Sequence, residues 1–519
     1  MDFKSPWWVK YRKRRYKTKN YLTFEVILRR SFRETVREYL SCASIAGIRE
    51  INNPNNTFLH RLAFHFSLRY TIYCFPSALR IVLLFTSLVN IMYFLQYTWN
   101  STLANPLVVT GESSTYPIKD IDFPAIAFCN INRISLKALK LHAAKMYPRL
   151  SKLNFSLAHL EFFYQNMGRL IDFSYDDTRL YAKLMDAFSL KEFSDMTVGL
   201  MRELAPNCEE TLIKCQWAGK VVDCKNIFEL RRTVLGHCCA FNYVLDYNAA
   251  VSLHATIAPV KRQTVPGVNN GLRVVMDAMI DDYAFPLTYR TGFEVLIFDP
   301  IHFADMTGGR VIQRMVQPNQ EQFFQVESVK QIASPEVRKY PLSARKCLFR
   351  DENVKEFHNK YSYSACLVKC RKSLQKCTDL YVKNLRCLDK YREKLQYLYP
   401  LDTEDTEGLE QELVDSLYCP ECLPDCELTQ HSTKSYKIPL QTTRMRNGIN
   451  LTDKCVISIF HPTTSGILHR LDVVAYWFEI LSNIGGFSGM LMGIGIYTVY
   501  FLFVYTFCEI LYSNYNKYR

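Results

Sequence analysis

Two long stretches without a charged residue lie near opposite ends of this 519-residue chain, and they limit its fold more than any other feature. The first, Ile81–Trp99, has 14 apolar residues among 19 and would extend about 28 Å as a helix, roughly one bilayer core. The second has 29 uncharged residues between Glu479 and Glu509, about 43 Å as a helix, so it must tilt or break. A buried helix of a soluble domain is the alternative for the first stretch, whose far end carries interfacial aromatic residues. We expect two transmembrane segments.

The second stretch is interrupted by glycines at Gly485, Gly486, Gly489, Gly493 and Gly495. Helix-breaking residues are tolerated at membrane depth where the backbone is buried in protein or lines a water-filled path. The four-residue spacing of Gly485, Gly489 and Gly493 also places small residues on one face, where another helix can approach closely. We therefore predict a hinge and packing surface at Gly485, Gly486 and Gly489. Simple helix packing without a pore is the alternative.

Positive charge is concentrated ahead of the first apolar stretch. Residues 1–80 account for +11 of the net charge of +14, so the rest of the chain is close to neutral and nucleic-acid binding is not expected. The positive-inside rule keeps this basic segment in the cytoplasm, and two crossings return the C-terminus to the same side. The expected plasma-membrane topology is a cytoplasmic region 1–80, a transmembrane helix 81–99, an extracellular region 100–472, a second, glycine-interrupted transmembrane segment 473–508 and a cytoplasmic tail 509–519.

The cysteines support an extracellular middle region. Fifteen of the eighteen fall between the apolar stretches, as expected on the oxidising side of a membrane. N-glycosylation acceptor triplets occur in the same region at Asn100, Asn154 and Asn450. Residues 293–347 read as strand-rich and residues 351–396 as helical, so this region should be a disulfide-rich α+β domain.

Metal binding and catalysis find little support in the sequence. Cys419 and Cys422 have the spacing of half a zinc knuckle, but a matching second pair and a cytosolic location would be needed, so we expect no metal. The sequence has no phosphate-binding glycine loop, nucleophile elbow or helical histidine pair, so we expect neither an enzyme nor a cofactor. The acidic run from Asp402 to Glu412 would allow carboxylate pairs that sense protons or cations, and a solvated loop is the alternative.

Four sequence blocks, in order along the chain, are similar to those of one family. Phe123–Asn130 (FPAIAFCN) resembles a block just after the family's first span, and Gly236–Asn242 (GHCCAFN) resembles a Gly-x-Cys-x-x-Phe-Asn block. Tyr361–Cys366 (YSYSAC) resembles a Tyr-Ser-x-x-Ala-Cys block, and Gly485–Met490 (GGFSGM) resembles the signature that opens the second span. The chain resembles the degenerin/epithelial sodium channel family, most closely its insect pickpocket branch, from about residue 40 to residue 505.

The resemblance implies disulfide pairs that spacing alone leaves open. The implied pairs are Cys129 with Cys238, Cys215 with Cys224, Cys347 with Cys426, Cys366 with Cys422, Cys370 with Cys419, and Cys377 with Cys387. Cys208 and Cys239 lie outside the family's core pattern and are expected to pair with each other, which leaves Cys455 as an odd thiol.

The resemblance also implies a pore. The family's selectivity filter falls on Gly493, Ile494 and Gly495, where backbone carbonyls replace part of an ion's hydration shell. Three positions depart from the family pattern. Gly495 replaces a filter serine, Ala46 replaces the histidine of the cytoplasmic gating motif at Ala46-Gly47, and Phe501 replaces a glutamate near the inner pore mouth. These departures put sodium over potassium selectivity in question.

By this resemblance the chain is expected to be a subunit of a trimeric, sodium-permeable, amiloride-sensitive cation channel. Its partners would be the membrane, sodium ions, related subunits in a homo- or heterotrimer, and an extracellular stimulus that the sequence does not name. A non-conducting auxiliary or receptor-like subunit is the main alternative. An ATP-gated purinergic channel also has two spans and a cysteine-rich exterior, but the four blocks are not its own. An extracellular enzyme is the weakest alternative.

Overall fold

The computed structural model of the chain describes residues 28–34, 77–104, 106–151, 156–169, 199–244, 259–308, 310–352, 361–374, 397–400, 403, 405–414, 416–440, 448–492 and 507–518. These residues belong to two compact units. One comprises residues 1–106 with 473–519, and the other comprises residues 107–472.

The first unit is helical where it is described. Its helices are residues 28–34, α1 (Ser77–Ala104), α8 (Trp477–Met492) and α9 (Phe507–Tyr518). Helix α1 has neither glycine nor proline and extends beyond the predicted 81–99 at both ends. Helix α8 contacts α1, and the ring of Phe487 stacks on that of Phe94 with 4.1 Å between centroids. No helix within the described ranges combines the length and the hydropathy that a bilayer crossing requires.

The second unit contains two β-sheets. The larger has eight strands, seven of them in the order β1-β13-β10-β12-β7-β3-β4, with β11 paired antiparallel to β10. Its strands are β1 (Leu107–Pro117), β3 (Leu212–Trp217), β4 (Lys220–Val222), β7 (Leu272–Asp277), β10 (Gln320–Ala333), β11 (Leu428–Pro439), β12 (Lys454–Phe460) and β13 (Ser465–Val473). Strand β10 pairs with β12 over residues 320–325 and then with β13 over residues 329–333. It therefore changes partner along its length.

The smaller sheet is antiparallel, in the order β5-β6-β2-β8-β9. Its strands are β2 (Ala125–Asn130), β5 (Phe228–Thr233), β6 (Gly236–Phe241), β8 (Phe293–Phe298) and β9 (Ile312–Val316). Every residue of β2 is buried, because Ile126 and Phe128 enter the core shared with the larger sheet while Ala125 and Ala127 enter a second core on the other face. Burial on both faces explains why β2 reads as a continuous apolar run.

The second unit also contains helices. They are α2 (Leu136–Leu150), α3 (Leu157–Asn166), residues 199–204, α4 (Cys208–Thr211), α5 (Leu342–Arg345), α6 (Tyr363–Leu374) and α7 (Glu410–Val414). Ser135 and Ser156 cap α2 and α3 by accepting hydrogen bonds from amides three residues on, which supplies partners for otherwise unpaired N–H groups. The unit is thus the disulfide-rich α+β domain that the sequence predicts, with β8, β9 and β10 inside the strand-rich segment.

Candidate functional site

Six disulfides cross-link the second unit. They join Cys129–Cys238, Cys208–Cys239, Cys215–Cys224, Cys347–Cys426, Cys366–Cys422 and Cys370–Cys419. These are the pairs expected in the sequence analysis, apart from Cys377–Cys387, which lies outside the described residues. Cys455 is a free, buried thiol on β12.

Helix α6 is held by two of these disulfides. Cys366 and Cys370 lie one helical turn apart on one face, so both reach the short segment that carries Cys422 and Cys419. Just before the helix, the buried phenol of Tyr361 donates a hydrogen bond to the carbonyl of Leu423 at 2.5 Å. Burial raises the pKa of this phenol, which therefore stays protonated as a donor. The helix and the 419–426 segment form one cross-linked body.

Three buried aspartates connect this body to the two sheets. Each carboxylate faces an arginine from a different segment, and the pairs are Asp299–Arg350 at 3.7 Å, Asp305–Arg371 at 3.2 Å and Asp425–Arg310 at 2.5 Å. The aspartate side chains are at most 5% exposed, whereas the arginines are 22–28% exposed. The guanidinium groups thus keep part of their hydration while they pair with carboxylates whose burial without a partner would be costly. We call these six residues the ionic junction.

Asp425 lies at the N-terminus of α6. Besides Arg310, its carboxylate accepts a hydrogen bond from the Tyr363 amide at 3.3 Å and lies 3.6 Å from Nε2 of His302. A negative charge at this position interacts favourably with the unpaired amides and the dipole of the helix. Asp425 therefore joins the disulfide next to it in the chain, at Cys426, to the start of the stapled helix.

The serines of the YSYSAC block bind the loop between β8 and β9. Ser362 and Ser364 lie 3.2 and 3.4 Å from Nδ1 of His302, and the amide of Phe303 donates to Oγ of Ser364 at 2.8 Å. All these groups are buried, so each hydroxyl supplies a partner to a polar group that water cannot reach. This block therefore fixes the loop to α6.

Asp299 links the end of β8 to the start of β11. Burial opposes its ionisation, but His302, Arg350 and the amide of Ile301 at 2.9 Å outweigh that effect and lower the pKa of the carboxyl group. The same carboxylate accepts a hydrogen bond from the Thr429 amide at 3.3 Å. An ionised Asp299 thus holds strands from both sheets together.

Two other sequence blocks have structural roles. In the FPAIAFCN block, the Asn130 amide donates to the carbonyl of Ala278 at 3.0 Å, across to the end of β7. In the GHCCAFN block, Asn242 adopts a left-handed φ of 56° and its side chain accepts from the Lys261 amide at 2.7 Å and donates to the Phe123 carbonyl at 2.5 Å. Asparagine tolerates this backbone conformation better than most residues and offers both a donor and an acceptor.

The structure corrects one prediction about the second apolar stretch. Gly485, Gly486 and Gly489 lie within α8, which runs without a break from Trp477 to Met492. Glycine costs a helix only about 1 kcal/mol relative to alanine, which an otherwise apolar helix can absorb. A Cβ atom at Gly485 or Gly486 would also meet nothing within 4 Å, so neither glycine serves close packing within the described part of this chain. The interruption predicted at these three glycines was therefore wrong, whereas a role of Gly489 in helix packing stays a prediction.

Of the other residues predicted as functional sites, some lie outside the described ranges and some lie within them. The expected filter Gly493-Ile494-Gly495, the gating motif Ala46-Gly47, Phe501 and Asn154 lie outside the described residues. Asn100 lies inside α1, because that helix continues to Ala104. Asn450 is exposed, and its side-chain oxygen accepts a hydrogen bond from the Thr452 amide at 3.0 Å in a local turn.

The structure also bears on the alternative that Cys419 and Cys422 belong to a zinc site. Among the described residues, one group has ligand atoms close enough to share a metal ion: Cys370, Cys419 and Glu421. Its two sulfurs are joined to each other in a disulfide and therefore provide no thiolates. Asp405 and Glu407 of the acidic run are exposed outside any helix, as expected for a solvated loop, whereas Glu410 and Glu412 lie in α7.

Comparison with known proteins matches the chain to a single family over most of its length. The family is described as "Amiloride-sensitive sodium channel", and the match covers residues 39–505. The chain belongs to the amiloride-sensitive sodium channel family. The resemblance inferred from the four blocks is thereby confirmed, and the family is one of membrane ion channels rather than enzymes.

Relatives of this channel-family chain cover most of its length at low identity. Pickpocket protein 28 of Drosophila melanogaster is 24% identical over 92% of this chain and 79% of the relative. Sodium channel protein Nach of Drosophila ananassae is 23% identical over 79% of this chain and 77% of the relative. Acid-sensing ion channel 1B of Danio rerio is 23% identical over 90% of this chain and 77% of the relative.

The ionic junction was not predicted from the sequence. Asp299, Asp305 and Asp425 stand singly among apolar or small residues and form no run or period. The one local signal is Asp425 next to Cys426, since a carboxylate beside a disulfide-forming cysteine is expected to be buried with it. The acidic run at residues 402–412, which does stand out in the sequence, is a different feature.

Proposed function

We propose that this protein is a subunit of a sodium-permeable, amiloride-sensitive cation channel that is gated through its extracellular domain. The observation that carries the proposal is the family match over residues 39–505, which covers the first apolar stretch and all but the last three residues of the second. The proposal is supported by the names of the relatives, which are a pickpocket protein, the sodium channel protein Nach and an acid-sensing ion channel. Both termini are cytoplasmic and the subunit assembles as a homo- or heterotrimer in this proposal.

The fold offers a route from the exterior to the apolar helices. Strands β1 and β13 are neighbours in the larger sheet, and Oγ1 of Thr110 donates to the carbonyl of Arg470 at 3.3 Å. Helix α1 ends at Ala104, three residues before β1, and α8 begins at Trp477, four residues after β13. A displacement of this strand pair therefore acts on both helices through very short linkers.

The stapled helix and the ionic junction provide a body that can transmit such a displacement. Disulfides and buried ion pairs fasten α6 to the β8–β9 loop and to the start of β11, and β11 pairs along β10. Strand β10 pairs in turn with β13. A stimulus that moves α6 is thus passed through strands rather than through flexible side chains.

The sequence departures at Ala46, Gly495 and Phe501 favour a second candidate function. A subunit that lacks the filter serine, the gating histidine and the inner glutamate of its family would serve as an auxiliary subunit that assembles with conducting relatives. In that role it would change the currents of the partners without a current of its own.

Voltage-clamp recording from cells that express the chain alone, and then with related subunits, separates the two functions. The channel proposal predicts a sodium current that amiloride blocks. The current should arise either from the chain alone or from the chain together with related subunits, and in the second case a substitution in this chain should change the ion selectivity. Gly495→Ser, which restores the family's filter residue, should increase the preference for sodium over potassium. Gly111→Ser on β1 is a matched control, since a Cβ there meets nothing within 4 Å.

Surface biotinylation must accompany these recordings. A subunit that reaches the surface but gives no current alone, and whose Gly495→Ser variant leaves the selectivity of every combination unchanged, refutes a pore-lining role. Altered current amplitude with unchanged selectivity would support the auxiliary function instead.

A further inference from the structure

A line of buried polar side chains crosses the larger sheet. Oγ of Ser328 on β10 lies 2.8 Å from Nδ1 of His431 on β11 and 3.0 Å from Nε2 of His461, the residue after β12. Nδ1 of His461 lies 3.2 Å from Oε1 of Gln263. All four side chains belong to residues that are at most 9% exposed. We call Gln263, His461, Ser328 and His431 the histidine relay.

The relay lies where β10 changes partner. Pairing with β12 ends at Gln325 and Phe460, and pairing with β13 starts at Val329 and Ile467. Ser328 falls between the two, directly opposite His431 on β11. The relay therefore joins three strands at the interruption in the sheet, just before the strand that continues into α8.

The hydrogen bonds determine the protonation of each ring. The side-chain amide of Gln263 donates to the Val265 carbonyl at 2.8 Å, so its oxygen faces His461 and accepts from both the amide and Nδ1 of His461. Nε2 of His461 is then an acceptor for the hydroxyl of Ser328. The same hydroxyl oxygen accepts from Nδ1 of His431.

One nitrogen is left over in this arrangement. Nε2 of His431 carries a lone pair, is buried, and has no hydrogen-bond partner among the described residues. In the neutral relay both ring N–H groups and the Ser328 hydroxyl have an acceptor, and the series of bonds ends on a free acceptor. A proton can be added there without the loss of an existing bond, whereas a proton on Nε2 of His461 removes the acceptor that the Ser328 hydroxyl uses.

Charged groups from three neighbouring segments act on His431. Asp299 at the end of β8 and Asp122 before β2 attract a proton to the ring, whereas His302 in the β8–β9 loop repels it once charged. Both aspartates already have arginine partners, Asp299 at 3.7 Å from Arg350 and Asp122 at 2.7 Å from Arg262. His431 in turn repels a proton on His461. Burial lowers the pKa of both relay histidines to about 4, so the relay is neutral at pH 7.

We propose that the histidine relay is a proton-binding site whose occupation loosens the attachment of β11 and β13 to β10. The first proton binds Nε2 of His431 and places a charge in the sheet interior, and a second on His461 breaks the bond to Ser328. Extracellular acid thereby opens the sheet at the place where β10 changes partner. This structural claim holds whether or not the chain conducts, and its effect on current rests on the proposed function.

Hydrogen–deuterium exchange of the purified full-length chain in detergent, measured by mass spectrometry, tests the proposal. After correction for the intrinsic pH dependence of exchange, the opening of peptides from residues 428–439 and 461–473 should increase between pH 7 and pH 4.5. The increase expected for one histidine whose pKa falls from 6.5 to about 4 on folding is on the order of 20- to 60-fold. Peptides of α3, residues 157–166, should not change.

Two histidine variants make the test specific. His431→Asn keeps a donor near the position of Nδ1 but cannot bind a proton, so most of the acid-induced opening should disappear. His159→Asn, at an exposed position of α3, is the matched control and should behave like the natural chain.

The proposal is overturned if the natural chain shows no acid-induced opening of residues 428–439, or if all measured peptides open together. It is equally overturned if His431→Asn opens as the natural chain does. Should His431→Asn fail to fold, the wild-type comparison of the β11 and α3 peptides still decides the question. Because exchange requires no current, a failure here is distinct from a failure of the channel proposal.

Discussion

Replacing Asp425 with asparagine tests the ionic junction most directly. The substitution keeps the shape of the side chain but removes the charge that faces Arg310, at 2.5 Å, and the N-terminus of α6. Breaking a fully buried ion pair costs about 3–5 kcal/mol because the remaining charge is left without a partner. Arg310 is 25% exposed and can regain some hydration, so we expect a loss of about 2–3 kcal/mol. Dividing this loss of unfolding free energy by the unfolding entropy of the 366 residues of the second unit gives a melting temperature lower by roughly 3–4 °C.

Thermal unfolding of the purified full-length chain, at one scan rate and pH 7, measures this shift. Asp351→Asn is the matched control, because Asp351 pairs with Arg338 through two bonds of 2.6 and 3.0 Å, but both side chains are at least half exposed. Exposed ion pairs contribute little to stability, so this variant should melt within about 1 °C of the natural chain. Equal shifts for Asp425→Asn and Asp351→Asn would refute the argument that burial makes the junction important.

Three further predictions concern pH, a thiol and a glycan. Folding lowers the pKa of His431 and of His461 from 6.5 to about 4, so the folded state favours their neutral forms. The stability that these two histidines contribute is therefore fully present above about pH 6.5 and is lost as the pH falls towards 4. The loss of unfolding free energy is about 3 kcal/mol for each histidine taken alone. The melting temperatures of the natural chain and of His431→Asn should therefore lie closer together at pH 4.5 than at pH 7. The same difference at both pH values would contradict this expectation. Burial raises the pKa of Cys455 to about 12, so maleimide at pH 8 should not label Cys455 until the chain is denatured, and peptide mapping that finds Cys455 labelled in the native chain would disprove the burial. Asn450 is exposed in a local turn, so we expect it to carry a glycan, and a glycosidase should increase the gel mobility of the chain expressed in animal cells. Thr452→Ala removes the acceptor triplet and should reduce this mobility shift. An unchanged shift would argue against a glycan at Asn450.

Three of the four family blocks show why the family and much of the fold can be predicted from the sequence. FPAIAFCN forms the fully buried strand β2, GHCCAFN forms β6 and its left-handed end, and YSYSAC forms the serine-lined start of α6. Each block combines a disulfide-forming cysteine or an apolar run with a polar side chain that has a specific backbone partner. Such residues are recognisable because their neighbours in the chain are also constrained.

Other expectations depended on context that the sequence does not contain. The glycines predicted an interruption at Gly485, Gly486 and Gly489, yet α8 continues through all three because a glycine weakens a helix without ending it. The acidic run at residues 402–412 was conspicuous, but the buried carboxylates among the described residues are Asp282, Asp299, Asp305 and Asp425. Clustering along the chain indicates solvation, whereas burial of a charge depends on partners from distant segments.

The two apolar stretches, the cysteine-rich region between them and the family can be predicted from the sequence alone, because hydropathy and short motifs are properties of neighbouring residues. Which charges are buried, and where β10 passes from β12 to β13, depends on the folded arrangement of distant segments. The ionic junction brings together aspartates and arginines from up to 115 positions apart, and the histidine relay joins Gln263, Ser328, His431 and His461. Their chemistry arises from exclusion of water and from hydrogen-bond direction, which exist only once the strands have paired.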